Sequence, residues 1–175
     1  LEAEGRSFIH PYDDEDIMAG QGTIGLEIVS QLPEVETILI PVGGGGLIAG
    51  IASAVKTLRP QTSIIGVQSA MCTSVKAALR LGKPVSVPAK YSIADGISVK
   101  EVGQLTFAII QRLVDDMVSV EEEEIAAAML ELLERKKILA EGSGAVPLAA
   151  LMGKQLSNLR GRSVVLVISG GNVDT

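Results

Sequence analysis

Two glycine-rich turns carry the residues most able to do chemistry. "PVGGGG", ending at Gly46, follows the apolar run Thr37 to Val42, and "SGG", Ser169 to Gly171, follows "VVLVI" near the end of the chain. Glycines at a strand end, just before a helix, expose successive backbone N–H groups with no side chain in the way. With the positive end of the helix dipole they form an anion site suited to phosphate. A nucleoside triphosphate site of the P-loop kind needs Lys and Ser/Thr directly after the glycines, where Leu47 and Ile48 stand. A dinucleotide site fits formally, since Gly44, Gly46 and Ala49 satisfy G-x-G-x-x-G/A. The ribose-binding acid expected about 20 residues on is absent, because "SIIGVQ" ends in Gln68. A tight turn without a ligand stays open, although four glycines exceed what a turn demands. A lone phosphate monoester fits best.

Other reactive side chains are few. His10 is the single histidine and Cys72 the single cysteine, too little for a zinc site or a disulfide framework. One cysteine fits a reducing cytoplasm. Net charge is −6 with acids spread along the chain, which argues against a nucleic-acid surface. Trp is absent and Tyr plus Phe total four, so stacking platforms for bases are lacking. No uninterrupted apolar run reaches the roughly 18 residues of a membrane span. The acidic start, without an initiator Met, lacks the order of a signal peptide and reads as that of a fragment or cleaved product.

The elements that must position the glycine turns follow from apolar periodicity. Helices are expected over 16–33, 47–60, 73–84, 103–116, 119–137 and 143–156, and strands over 37–42, 63–68, 117–120 and 163–172, with an irregular stretch at 83–102. In the fifth helix Ser119 is the expected N-cap, the acids Glu121 to Glu124 a solvated first turn, and Arg135 to Lys137 the basic end. Alternating strands and helices predict an α/β fold: a doubly wound, mostly parallel sheet with helices on both faces. Residues 1–175 form one unit, with no linker or repeat. In such a fold ligands sit beyond the carboxyl ends of strands, where both glycine turns fall.

The segments "HPYDDEDIMAGQGTIGLEI", "PVGGGGLIAGIA", "IADG", "LVDDMVSVEEEEI", "AEGSGAVPLAAL" and "VISGGNVD" occur in this order. Across nearly the whole chain they resemble the C-terminal part of the catalytic domain in the pyridoxal-phosphate (PLP) dependent threonine and serine dehydratases. Serine racemase is similar too. The resemblance implies fold-type II architecture and PLP as cofactor. It implies deamination of L-threonine to 2-oxobutanoate and of L-serine to pyruvate, with an amino acid as substrate and a homo-oligomeric assembly. It assigns the PLP phosphate to Gly43, Gly44, Gly45 and Gly46 with the Leu47 amide, and the pyridine nitrogen to Ser169. A neutral hydroxyl there cannot hold that nitrogen protonated, which suits rapid β-elimination. Tyr12, Gly96 and Glu141 would line the same pocket. For Tyr12 an ordinary half-buried aromatic, and for Glu141 a helix-start acid, stand as alternatives; His10 reads as structural.

Two departures matter. Where serine racemase carries carboxylates for a divalent cation, Gln68, Cys72 and Ser74 stand here, so no metal ligand is assigned. The Schiff-base lysine and the substrate-carboxylate loop lie upstream in the family, and neither motif is in this chain. None of its lysines matches, so the chain alone is expected to be inactive without the N-terminal part. The rivals are serine racemase or another fold-type II β-replacement enzyme, and a non-catalytic regulatory or interface fragment.

Overall fold

The computed structural model describes residues 7–173. Four parallel strands form one sheet: β1 (Thr37–Pro41), β2 (Ser63–Ser69), β3 (Asp116–Val120) and β4 (Val164–Leu166), in the order β3-β2-β1-β4. β1 is central because it is apolar on both sides, with all five of its residues buried. Its register sets Leu39 beside Ile65 on one flank and beside Leu166 on the other.

Among the described residues six α-helices surround the sheet: α1 (Glu15–Gln31), α2 (Gly46–Leu58), α3 (Ser74–Leu81), α4 (Gln104–Leu113), α5 (Glu122–Glu131) and α6 (Gly142–Met152). The alternation of side chains along a strand divides the core in two. Ile38, Ile40 and Ile64 pack with Ile51, Val55 and Val75 of α2 and α3 and with Ile110 of α4. Leu39, Ile65 and Val67 pack on the opposite side with Ile125 and Ala128 of α5 and Val146 of α6. The sheet is therefore covered on both faces, as the alternation of elements predicted. α1 lies on α2, and glycines let the two backbones approach: a Cβ at Gly25 would stand 3.0 Å from the Ile51 carbonyl oxygen, and one at Gly50 would collide with the Met18 carbonyl.

The order of the strands places a switch. From β1 the chain moves outward through β2 to β3, then returns to pair β4 with the other edge of β1. Where successive strands leave in opposite directions their connections part, and a crevice opens beyond the carboxyl ends of β1 and β4. The two glycine turns follow those two strands.

Several boundaries differ from the sequence reading. The N-cap of α5 is Glu121, not Ser119: Glu121 and Glu124 form a reciprocal capping box, with the Glu121 N–H donating to Glu124 Oε2 at 2.8 Å. Ser119 stays in β3, where its hydroxyl accepts from Lys76 Nζ at 3.2 Å. The α-helical part of α5 stops at Glu131, and a π-turn over Leu132–Lys136 carries the chain to Lys137, whose φ of 59° ends it. The last strand covers Val164–Leu166 only; beyond it the Val167 N–H still reaches the Leu39 carbonyl at 3.0 Å. The 83–102 stretch is irregular apart from a 3₁₀ turn at Asp95–Ile97.

The acidic run is not merely solvated. Glu122 Oε1 accepts from the hydroxyls of Ser92 (2.7 Å) and Ser69 (3.1 Å), and Oε2 accepts from the Ile93 N–H (2.7 Å). One carboxylate thus ties the end of β2 to the segment that leads into Gly96.

Candidate active site

A cavity of about 330 Å³ opens at the crevice between β1 and β4. Gly43, Gly44, Gly45, Gly46 and Leu47 form one wall, and Gly96, Glu141 and Ser169 form the other. Tyr12 stands beside the glycines, so all nine residues singled out from sequence line this one space. Pro11, Pro41, Ile97, Val99 and Ser143 complete the lining and were not foreseen.

Why glycine is required in the turn is now explicit. A Cβ at Gly43 would lie 3.0 Å from the Ile97 Cα, and one at Gly44 would clash with the Tyr12 ring. At Gly45 it would meet the Ile110 and Thr106 side chains at 2.9 Å, and at Gly46 the Tyr12 backbone at 3.0 Å. Gly45, with φ of 100°, also adopts the left-handed backbone that side chains avoid. The requirement is thus partly internal packing, which the sequence reading did not anticipate.

That packing also orients the turn. The Gly44 carbonyl is drawn away by two donors, the Thr106 hydroxyl at 2.8 Å and the Gly103 N–H at 3.3 Å. The first backbone bond within α2 runs from the Ala49 N–H to the Gly45 carbonyl, so the amides of Gly46, Leu47 and Ile48 precede the helical ladder. Among the described residues no Lys or Arg lines the cavity. What these residues offer an anion is backbone amides and the α2 dipole.

The "HPYDD" segment is fastened around the turn by its polar side chains. His10 Nδ1 accepts from the Asp13 N–H at 2.9 Å, and its ring meets Tyr12 edge-on with centroids 4.5 Å apart. His10 is therefore a structural acceptor, as read from sequence. Asp14 caps α1, its Oδ1 accepting from the N–H groups of Asp16 and Ile17. Asp13 caps a different helix, accepting from the N–H groups of Gln104 (2.9 Å), Leu105 (2.9 Å) and Thr106 (3.1 Å) at the start of α4. The N-cap position of α4 is Gly103, which has no side chain to do this. Asp13 and Thr106 had no recognisable signal in sequence, because a cap supplied from about ninety residues away leaves no local pattern. Burial pushes the Tyr12 phenol above its ordinary pKa, and the nearby charges of Asp13 and Glu101 add to the shift.

On the opposite wall Glu141 holds the N-cap position of α6 but does not cap with its side chain. Its Oε2 accepts from the Asn172 N–H at 3.0 Å, and its backbone N–H donates to the Gly170 carbonyl at 3.2 Å. A Cβ at Gly170 would touch the Glu141 carboxylate at 2.7 Å, and φ there is 104°. Glu141 thus fixes the turn that presents Ser169. Gly96 completes this wall, where a Cβ would press on Ser143 Oγ at 2.9 Å and narrow the cavity.

Gln68, Cys72 and Ser74 lie outside this space. The Gln68 side chain is fully buried, accepting from the Lys76 N–H at 3.2 Å and donating to the Val42 carbonyl at 3.4 Å. Cys72 is buried and free; burial raises its thiol pKa, and Sγ donates to the Val99 carbonyl at 3.3 Å. Among the described residues no cluster of three His, Cys, Asp or Glu side chains could hold a metal ion.

Residues 1–170 match the family model described as "Pyridoxal-phosphate dependent enzyme". The chain belongs to that family. Within the PLP-dependent family it is 55% identical over 173 residues to an L-threonine ammonia-lyase of Geobacter sulfurreducens, covering 99% of this chain and 43% of that protein. It is 46% identical over 175 residues to the catabolic L-threonine dehydratase TdcB of Escherichia coli K12, covering 99% of this chain and 53% of the other. The processed form of threonine deaminase isoform 2 from Solanum lycopersicum superposes with a TM-score of 0.94 at 40% identity, over 99% of this chain and 51% of that one. Maize serine racemase does so with a TM-score of 0.94 at 36% identity, over 99% and 54%. The fold is that of fold-type II PLP enzymes, and the chain spans about half the length of these relatives.

The cavity fits the family's cofactor on its own terms. It offers an amide-lined anion cradle at the α2 start, a half-buried hydroxyl (Ser169) on the far wall, and one buried hydroxyl, Ser143 Oγ, without a hydrogen-bond partner. A flat, polar-ended ligand carrying a phosphate matches the cradle and the Ser169 hydroxyl.

Proposed function

We propose that this chain is the C-terminal part of the catalytic domain of a PLP-dependent ammonia-lyase. The whole protein would convert L-threonine to 2-oxobutanoate and ammonia, and L-serine to pyruvate and ammonia. Gly43 to Gly46 and the Leu47 amide hold the phosphate, and Ser169 meets the pyridine nitrogen. Tyr12 and Gly96 bound the ring, while Glu141 fixes the Ser169 turn. The observation that carries the reading is the meeting of two glycine turns, more than 120 residues apart, at the switch between β1 and β4. PLP, when bound, withdraws electrons from the substrate's α-carbon. This chain's own part is to anchor the phosphate, keep a neutral hydroxyl at the ring nitrogen, and exclude water with Ile97 and Val99.

The lysine that takes the aldehyde, and the loop that takes the substrate carboxylate, belong to the N-terminal part, which is the partner this chain needs. We place the enzyme in the cytoplasm, in keeping with one free, buried Cys72 and no described helix long and apolar enough to cross a membrane. Homo-oligomerisation accords with exposed Leu26, Leu58, Leu81 and Leu105.

The test joins the chain to its N-terminal part and adds PLP. The reading requires an absorbance band at roughly 410 nm, general to lysine-bound PLP, and 2-oxobutanoate released from L-threonine. A complemented protein with neither would end it. A serine racemase is the second reading, favoured by the maize enzyme's equal TM-score. D-serine formed from L-serine faster than pyruvate would select it.

A further inference from the structure

The hydroxyl of Ser143 is out of place for a residue with no role. It is only 4% exposed, it lines the cavity, and its Oγ has no hydrogen-bond partner. A buried hydroxyl left unsatisfied forfeits its hydration without replacement. Several other helix hydroxyls here donate to a carbonyl. Ser53 donates to the Ala49 carbonyl and Thr57 to the Ser53 carbonyl, each at 2.8 Å, and Thr106 donates to the Gly44 carbonyl. Ser143, in the first turn of α6, lacks the carbonyl four residues back that serves Ser53, since α6 begins at Gly142.

Its surroundings say where it points. Gly96 keeps the space above it open, because a Cβ there would press on Ser143 Oγ at 2.9 Å. The next residue, Gly144, packs on the Ser169 backbone, where a Cβ would stand 2.7 Å from the Ser169 carbonyl oxygen. The first turn of α6 thus lies against the turn that carries Ser169, and both residues line one cavity, their hydroxyls not hydrogen-bonded to each other without a ligand. The positive end of α6 adds a potential that suits a hydroxyl turned toward an acceptor.

We infer that the ring-nitrogen site is a pair of hydroxyls, Ser143 and Ser169, rather than Ser169 alone. This rests on the PLP reading of the cavity. A pyridine nitrogen accepts one in-plane hydrogen bond, so the two act in series. Ser169 donates to the nitrogen, and Ser143 donates to the Ser169 oxygen, which turns the Ser169 proton toward the ring. Ser143 is a positioning residue, and its partner is supplied only when the ligand orients Ser169.

The experiment titrates the full-length apoprotein, as wild type, Ser143→Ala, Ser169→Ala and the double variant, with PLP and with its 1-deaza analogue, in which C–H replaces the ring nitrogen. Binding is followed by absorbance. Ser143→Ala should weaken PLP about tenfold, the worth of one neutral hydrogen bond, and leave the deaza analogue within about twofold of wild type. In the Ser169→Ala background the same change should add nothing for PLP. Unchanged PLP binding in Ser143→Ala, or an equal loss for both compounds, overturns the inference; the latter outcome assigns Ser143 a purely structural part. Failure of the wild type to bind PLP would overturn the cofactor reading itself, a separate result.

Discussion

Gly45→Ala isolates what the glycine turn is built to avoid. Gly45 sits at φ of 100°, a conformation that costs a side-chain-bearing residue about 1–2 kcal/mol. Its new methyl would also meet Ile110 Cδ1 and Thr106 Cβ and Oγ1 at 2.9 Å. Ile110 is fully buried and Thr106 is held by the Gly44 carbonyl, so neither can yield without moving α4. Overpacking of this kind costs about 1–3 kcal/mol, for a sum of roughly 2–5 kcal/mol. Gly82 supplies the control. It too has a left-handed backbone, φ 72°, but a Cβ there meets nothing within 4 Å. Gly82→Ala should therefore lose only the backbone part, about 1–2 kcal/mol. Urea denaturation of the full-length protein, read as the midpoint at constant slope, measures both. A Gly45→Ala loss no larger than that of Gly82→Ala would show that packing around the turn is not what excludes a side chain.

Other expectations are cheaper to check. Gly20 lies exposed within α1 with nothing near its Cβ position, so Gly20→Ala should stabilise the protein by up to about 1 kcal/mol in the same assay. Asp13→Ala removes three accepted bonds at the start of α4 and should cost about 1–2 kcal/mol; a melting temperature equal to wild type would refute the remote cap. Glu122→Ala removes the acceptor of the Ile93 N–H and leaves the Ser69 and Ser92 hydroxyls only each other, costing about 1–3 kcal/mol, and should weaken PLP binding by loosening the Gly96 wall. Tyr12 carries a raised pKa, so its phenol, followed as the difference between wild type and Tyr12→Phe, should titrate above pH 10. Because the folded state holds that proton more tightly, its linkage is flat below the unfolded value of about 10. Stability then declines as pH rises from there through the folded pKa. A midpoint at or below 10 would contradict the burial of Tyr12.

The sheet and its helices were legible because their signals are local. "TILIPV" and "SIIGVQ" are continuous apolar runs, and burial on both faces needs little else. The residues that line the cavity were legible through two glycine turns and a family resemblance. What escaped was whatever joins distant segments. Asp13 capping α4 and Glu122 holding Ser92 are ordinary acids until the fold brings their partners in. Ser119 looked like an N-cap because it precedes an acidic turn, yet its backbone pairs in the β2–β3 ladder opposite Gln68, and Glu121 with Glu124 caps instead. The tetraglycine was read as room for a ligand, whereas Tyr12, Thr106, Ile110 and Ile97 occupy the directions a Cβ would take. Glycine there serves the packing first, and the packing holds the turn that lines the cavity.

The central claim is that phosphate and ring nitrogen are gripped from the two turns that follow β1 and β4. Crystallographic density for the full-length protein with PLP tests it most directly. The account predicts phosphate oxygens about 2.7–3.2 Å from amide nitrogens of the Gly43–Leu47 segment and the ring nitrogen within the same range of Ser169 Oγ. Phosphate seated elsewhere, or a ring nitrogen facing the Glu141 carboxylate instead of a hydroxyl, would contradict it.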